Sequence, residues 1–65
     1  MVELAAALRS RRRELGLTQA ELADLSGVSE RSVRALEAGK ETARIDTLVA
    51  VAESLGLRLT TVPRR

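Results

Sequence analysis

The sequence predicts an all-α domain of four short helices closed by a short C-terminal β-strand. Three observations predict it. Gly16, Gly27, Gly39 and Gly56 each follow a stretch with helical periodicity, where a glycine takes the left-handed conformation that ends a helix. Helix-capping residues stand shortly after Gly16 and Gly27 and before the last helical stretch. Beyond Gly56 the apolar period changes from the helical to the alternating one of a strand.

The first helix is expected from Val2 to Leu15, with Leu4, Leu8, Leu15 and the small Ala5 and Ala7 as its apolar stripe. Its arginines, between Arg9 and Arg13, lie near the helix C-terminus, where cations suit the macrodipole. Thr18-Gln19-Ala20-Glu21 reads as a capping box that opens a second helix, Gln19 to Leu25 or Ser26, burying Ala20, Leu22, Ala23 and Leu25. Ser29 is the N-cap of a third helix, Glu30 to Ala38. Leu17 and Val28, each just before a cap, are placed to staple the helix that follows. After the polar connection 39–44, Ile45 and Asp46 supply an apolar residue and a cap for a fourth helix, Thr47 to Leu55. Its face is Leu48, Val51, Ala52 and Leu55. Leu57 to Val62 is β-rich, with Leu57 and Leu59 on one face and Arg58 and Thr60 on the other, and Pro63 stops it. The division is 1–56 for the helical domain and 57–65 for the tail.

At 65 residues the chain is one domain with little core volume. It has no Cys and no His, so disulfides and zinc–thiolate sites cannot reinforce it, and no metal or cofactor is expected. Oligomerisation is the remaining reinforcement. The lone strand points the same way, since an unpaired edge invites pairing with a second copy in a two-fold dimer. The plainer alternative packs Leu57 and Leu59 onto the first and fourth helices.

Catalysis is not expected. Ser10, Ser26, Ser29, Ser32 and Ser54 have no histidine to activate them, and Lys40 is the only lysine. No apolar run approaches a membrane span and no signal-peptide pattern opens the chain, so a cytoplasmic, nucleoid-associated protein is expected.

Two short helices joined by a turn containing Gly27 have the layout of a helix-turn-helix, whose second helix enters the DNA major groove. Val33 and Leu36 must face the core, which turns Arg31, Arg34 and Ala35 outward. Arginines on that face suit phosphate or guanine O6 and N7, and Glu30 suits cytosine N4. Taken alone, Glu30 and Arg34 read equally as an ordinary i, i+4 pair on a solvated face. The net charge of +2 is mild, but residues 9–13 and 31–34 hold six arginines. The absence of aromatics argues against base stacking on single strands.

The run Leu15-Gly16-Leu17-Thr18-Gln19-Ala20-Glu21-Leu22-Ala23, with Ser26-Gly27-Val28-Ser29, Val33, Leu36-Glu37, Gly39-Lys40 and Thr47-Leu48, closely resembles the phage-repressor-like (XRE/Cro-type, lambda-repressor-like) helix-turn-helix family over residues 8 to 56. The resemblance implies base reading by Ser29, Glu30, Arg31 and Arg34. It implies phosphate contacts from the start of the second helix, Thr18 and Gln19, and from Lys40, with Gln19 also bracing the recognition helix. Exposed amides at a helix start favour an anion on physical grounds too. Glu37 resembles an acidic residue that pairs with a basic residue of the first helix, here Arg12. Such a pair, if exposed, contributes at most ~1 kcal/mol. Arg12 is read mainly as scaffold, with a phosphate contact as its second candidate role. Glu30 departs from the Gln, Thr or small residue common at its position, so the operator sequence is not readable.

Thr47-Leu48 with Ala52-Glu53-Ser54-Leu55-Gly56-Leu57-Arg58-Leu59-Thr60 is similar to HipB-type antitoxins, small repressors paired with a HipA-type kinase toxin. That resemblance implies a homodimer whose terminal strands, Leu57, Arg58, Leu59, Thr60, Thr61 and Val62, pair across the two-fold axis. It also implies a palindromic double-stranded operator and repression of the antitoxin's own operon. A free-standing regulator of the same family is the alternative. A helical adaptor that docks Arg9, Arg11, Arg12 and Arg13 on an acidic partner is the competing class.

Overall fold

The computed structural model describes residues 2–40 and 44–60. Four helices follow one another, α1 (Val2–Glu14), α2 (Gln19–Ser26), α3 (Glu30–Glu37) and α4 (Ile45–Ser54). Helix α2 packs chiefly on α3 and α4, and α1 packs on α3.

Leu8, Leu22, Ala23, Val33, Leu36, Leu48, Val51, Ala52 and Leu55 form one buried cluster. Ala5 is also buried, and Leu4, Leu17, Val28 and Leu57 pack around the cluster half-buried. The i, i+3 and i, i+4 spacings on α3 and α4 thus face inward as the sequence requires. No polar or charged residue is fully buried among those described.

The helices stop in a common way. After α1 the Leu17 amide donates to the Arg12 carbonyl at 3.1 Å and the Gly16 amide to Arg13 at 3.0 Å. The same 6→1 and 5→2 pattern closes α3 with Lys40 to Ala35 and Gly39 to Leu36, and closes α4 with Leu57 to Ala52 and Gly56 to Glu53. This is the Schellman arrangement, in which the residue after the glycine often packs back on the helix. Three of the four residues that follow the glycines, Leu17, Val28 and Leu57, are apolar and do so.

That motif explains why Leu57 begins no strand. Its amide is taken by the Ala52 carbonyl at 2.9 Å, and its side chain serves the core cluster. Residues 57–60 carry no strand, and Thr61 and Val62 lie outside the described residues. The alternation from Leu57 to Thr60 records one residue of a helix cap followed by an exposed tail.

Several expectations about burial need correction. Ala7 on α1, Leu15 just past its end, and Ala20 and Leu25 on α2 are exposed, Leu25 by 64%. The inward side of α1 runs through Ala5 and Leu8 to Arg12 one turn on, so an arginine stands where Leu15 was expected to close the stripe. On α2, the two helices packed against it leave only Leu22 and Ala23 inside. On α3, Ala35 is half-buried rather than fully outward.

Helix α4 begins two residues early, at Ile45, with Arg44 rather than Asp46 in the N-cap position. Arg44 makes no side-chain cap. Asp46 instead lies within the first turn, where its Oδ1 accepts from the Thr47 amide at 2.8 Å and its Oδ2 from Arg44 at 3.0 Å. A carboxylate one position inside the helix still meets the positive end of the dipole, so the cap is not required at Asp46. Ile45 is left 73% exposed.

A candidate nucleic-acid interface

Helix α2 opens with the full capping box. Thr18 Oγ1 accepts from the Glu21 amide at 3.0 Å, and the Thr18 amide donates to Glu21 Oε1 at 2.8 Å. The bond from the Thr18 amide, with the Thr18 hydroxyl as a second donor, holds the Glu21 carboxyl below its ordinary pKa. The turn to α3 passes through Gly27 at φ 71°, and the Val28 amide donates back to Ala23 at 3.1 Å. Ser29 then caps α3, its Oγ accepting from the Ser32 amide at 3.0 Å and meeting Ser32 Oγ at 2.9 Å. Two helices of eight residues each are thereby fixed end to end across a three-residue turn.

On α3, Val33 and Leu36 are buried, and Glu30, Arg31 and Arg34 are exposed. Arg34 Nη2 donates to Glu30 Oε2 at 2.8 Å, a solvent-screened i, i+4 pair. Among the described residues Arg31 has no ion-pair or hydrogen-bond partner, so its five donors face solvent. Lys40 occupies the Schellman position after α3 and is the charged exception among the four, with its side chain exposed. The start of α2, the outward face of α3 and the turn after α3 hold Thr18, Gln19, Ser29, Glu30, Arg31, Arg34 and Lys40.

Beneath this surface lies a three-residue brace. Arg12 Nε and Nη2 donate to the two carboxylate oxygens of Glu37 at 2.7 and 3.0 Å, and Arg12 Nη1 donates to the Leu17 carbonyl at 2.8 Å. Gln19 Nε2 donates to Glu37 Oε1 at 3.2 Å. Helices α1, α2 and α3 therefore meet on one carboxylate. The pair is not an exposed one: the side chains are 11% and 5% accessible. Burial pushes the Glu37 pKa up, but the hydrogen bonds from Arg12 and Gln19 and the charges of Arg12 and Arg9 outweigh it and leave it below the ordinary value. The bond to Glu37 raises the Arg12 pKa further, against a smaller opposing effect of burial. Three of the five Arg12 N–H groups are thereby given to Glu37 and Leu17.

The family resemblance implied the Arg12–Glu37 pair and a bracing role for Gln19, and both contacts are present; the spacing on α1 gives a second signal. Arg12 is four residues beyond Leu8, on the helix side that the core requires, and a charge there needs a partner. A second contact had no such signal: Arg11 Nε donates to the Leu55 carbonyl at 2.9 Å, tying α1 to the end of α4. A guanidinium at a helix C-terminus satisfies a free carbonyl and complements the dipole.

A helix-turn-helix family model matches residues 8–62, which includes every element of this surface. The chain belongs to the XRE-type helix-turn-helix family. Two helix-turn-helix relatives are similar to it over most of its length. The HTH-type transcriptional regulator y4mF of Sinorhizobium fredii is 43% identical over 54 residues, 83% of this chain and 71% of that protein. An HTH-type transcriptional regulator of Methanothermobacter thermautotrophicus is 41% identical over 49 residues, 75% of this chain and 71% of that protein. Both carry the word uncharacterized in their names. Among the described residues no helix is long and apolar enough to cross a membrane.

Proposed function

We propose that this helix-turn-helix protein is a sequence-specific, double-stranded-DNA-binding transcriptional repressor that acts as a homodimer on a palindromic operator. The observation that carries the reading is the outward face of α3, where Arg31, without a partner among the described residues, stands opposite a buried Val33–Leu36 face on a helix fixed by the Ser29 cap. An arginine so placed donates bidentately to guanine O6 and N7, with Ser29, Glu30 and Arg34 beside it. The Glu30–Arg34 contact neutralises the carboxylate that would otherwise repel phosphate. Thr18, Gln19 and Lys40 are assigned to the backbone on either side.

The dimer is supported by exposed apolar residues on α4 and the tail. Ile45, Val49 and Leu59 are solvent-accessible, and a shallow groove lined by Val49, Ala52, Glu53, Leu57, Arg58 and Leu59 runs between α4 and residues 57–59. Pairing of Leu57, Arg58, Leu59, Thr60, Thr61 and Val62 with a second copy would cover it, though Leu57 contributes through the helix cap rather than through a ladder. Two copies of α3 would then face successive major-groove turns about 34 Å apart. The resemblance of the α4-to-tail segment to HipB-type antitoxins favours autoregulation and a HipA-type kinase partner, with a free-standing regulator as the second reading.

Selection from random duplexes, followed by footprinting, tests the reading. A two-fold symmetric protected site with binding that falls steeply with salt is expected. Failure to retain any duplex would reject it in favour of an adaptor for an acidic protein. Co-purification of a stoichiometric complex on co-expression with a neighbouring kinase-like gene product tests the antitoxin role; no complex leaves the free-standing regulator.

A further inference from the structure

The arginine run on α1 divides in two once the contacts are assigned. Arg11 is held by the Leu55 carbonyl and by Glu14 at 3.7 Å, and Arg12 by Glu37 and Leu17. Arg9 and Arg13, one turn apart on the same side of α1, are exposed and have no ion-pair or hydrogen-bond partner among the described residues. They do not point into empty solvent. Arg9, Arg12, Arg13, Arg34, Gln19 and Glu37 line one open cleft between α1, the start of α2 and α3. Its single carboxylate, Glu37, is already bonded to Arg12 and Gln19. Like charges one helical turn apart cost a helix a few tenths of a kcal/mol. The carboxylate that lines the cleft, Glu37, offsets this only through space at Arg9, its hydrogen bonds being given to Arg12 and Gln19.

We infer that this cleft is a phosphate site, in which Arg9 and Arg13 hold a phosphate of the DNA backbone beside the strand met by the start of α2. The inference rests on the DNA-binding reading above and adds two residues that neither the recognition helix nor its flanking turns supply. Two features favour backbone phosphate over an acidic protein segment. The rim is shared with Gln19 and Arg34, so the cleft is continuous with the groove-reading surface. Guanidiniums also match phosphate oxygens in a fork geometry, and such contacts fix register without reading sequence. Arg12, at the cleft floor, orients the wall by bracing α3 and is not itself a ligand in this scheme.

The test measures affinity of the full chain for a duplex of about 20 base pairs across a salt series by fluorescence anisotropy, each neutralised phosphate contributing ~0.9 to the slope of log affinity against log salt. In Arg9→Gln/Arg13→Gln the slope should fall by about 0.9 for each protomer bound and affinity should drop alike for selected and scrambled duplexes. Arg9→Lys/Arg13→Lys should restore most of the slope. Arg44→Gln removes a charge outside both the cleft and the proposed dimer contact and should change the slope far less per charge removed. Arg9 and Arg13 are exposed and have no ion-pair or hydrogen-bond partner among the described residues, so circular dichroism should show unchanged helix content and melting. A fall in slope per removed charge no larger for the cleft pair than for Arg44→Gln, with wild type still binding, would overturn the cleft and leave the DNA reading intact. Wild type binding no duplex would overturn both. Cleft-dependent binding of polyglutamate at the affinity of the duplex would assign the cleft to an acidic protein instead. Displacement of the duplex by inorganic phosphate at equal ionic strength, only in proteins with Arg9 and Arg13, would mark a free-phosphate site and reject the backbone role.

Discussion

Arg12 and Glu37 meet side-on, two guanidinium nitrogens against two carboxylate oxygens at 2.7 and 3.0 Å, and almost no solvent reaches either side chain. In a domain whose core supplies only ~3–5 kcal/mol, this contact weighs more than a surface ion pair would. Removing one partner leaves the other buried without compensation, at a cost of several kcal/mol. Glu37→Ala should therefore destabilise the domain by roughly 2–4 kcal/mol in urea unfolding, enough to leave much of it unfolded at 37 °C. Arg12→Met/Glu37→Leu should cost less than Glu37→Ala alone. A double variant as unstable as the sum of its singles would show that the two residues are not coupled.

Stability should fall on acidification, and Glu37 sets part of the window. Its pKa lies below the ordinary 4.5 in the folded chain, so the unfolded chain binds a proton first as pH drops. The stabilisation is complete above about 4.5 and is lost as pH falls through the lower folded value. Glu21 shifts in the same direction through its hydrogen bonds from Thr18, and Glu21→Gln keeps the box geometry but loses the charge. Thermal melts at pH 7 and pH 3 should show a large decrease for wild type and a smaller one for Glu37→Gln. Equal decreases in the two proteins would remove Glu37 from the account.

Gly27 tests whether the turn is held by conformation or by space. Its φ is 71°, yet nothing lies within 4 Å of where a Cβ would stand. Gly27→Ala should thus cost about 1 kcal/mol from left-handed strain alone. Gly27→Asn should cost less, because Asn tolerates that region and meets no clash. A loss above about 3 kcal/mol for Ala would imply a steric contact instead.

Truncation after Leu57 should separate fold from assembly. The Leu57 amide and side chain complete the end of α4 and the core, and both survive the cut. Helix content should be retained while the protein sediments as a monomer. Retention of the dimer would move the interface onto α4, through Ile45 and Val49, and away from the tail.

Most of the helical framework was readable because its signals are local. The Thr18–Glu21 box, the Ser29 cap and the glycines act over three or four residues, and each functions as its spacing implies. The α3 and α4 faces were readable for the same reason. What failed depended on partners distant in sequence. Leu15, Ala20 and Leu25 are apolar at helical spacing, but the bundle has no neighbour to cover them. Arg12 was separable from the arginine run because the family resemblance pairs it with Glu37, whereas only the end of α4 distinguishes Arg11 from Arg9 and Arg13. Leu57 was misread because a helix cap and a strand begin with the same Gly–Leu pair.

The base-reading assignment is decided at Arg31. Arg34 already has a carboxylate partner and Ser29 is engaged in capping, so Arg31 is the member of the set with donors wholly uncommitted. Arg31→Ala should lower operator affinity by about 1–3 kcal/mol and relax preference at one base-pair position, with unchanged stability. Lys40→Ala should weaken all duplexes alike and reduce the salt slope by about 1, as a backbone contact does. The pair is diagnostic because the two substitutions remove the same charge. If Arg31→Ala behaves like Lys40→Ala, weakening selected and scrambled duplexes equally, α3 binds phosphate rather than bases and the specificity must reside elsewhere on the surface.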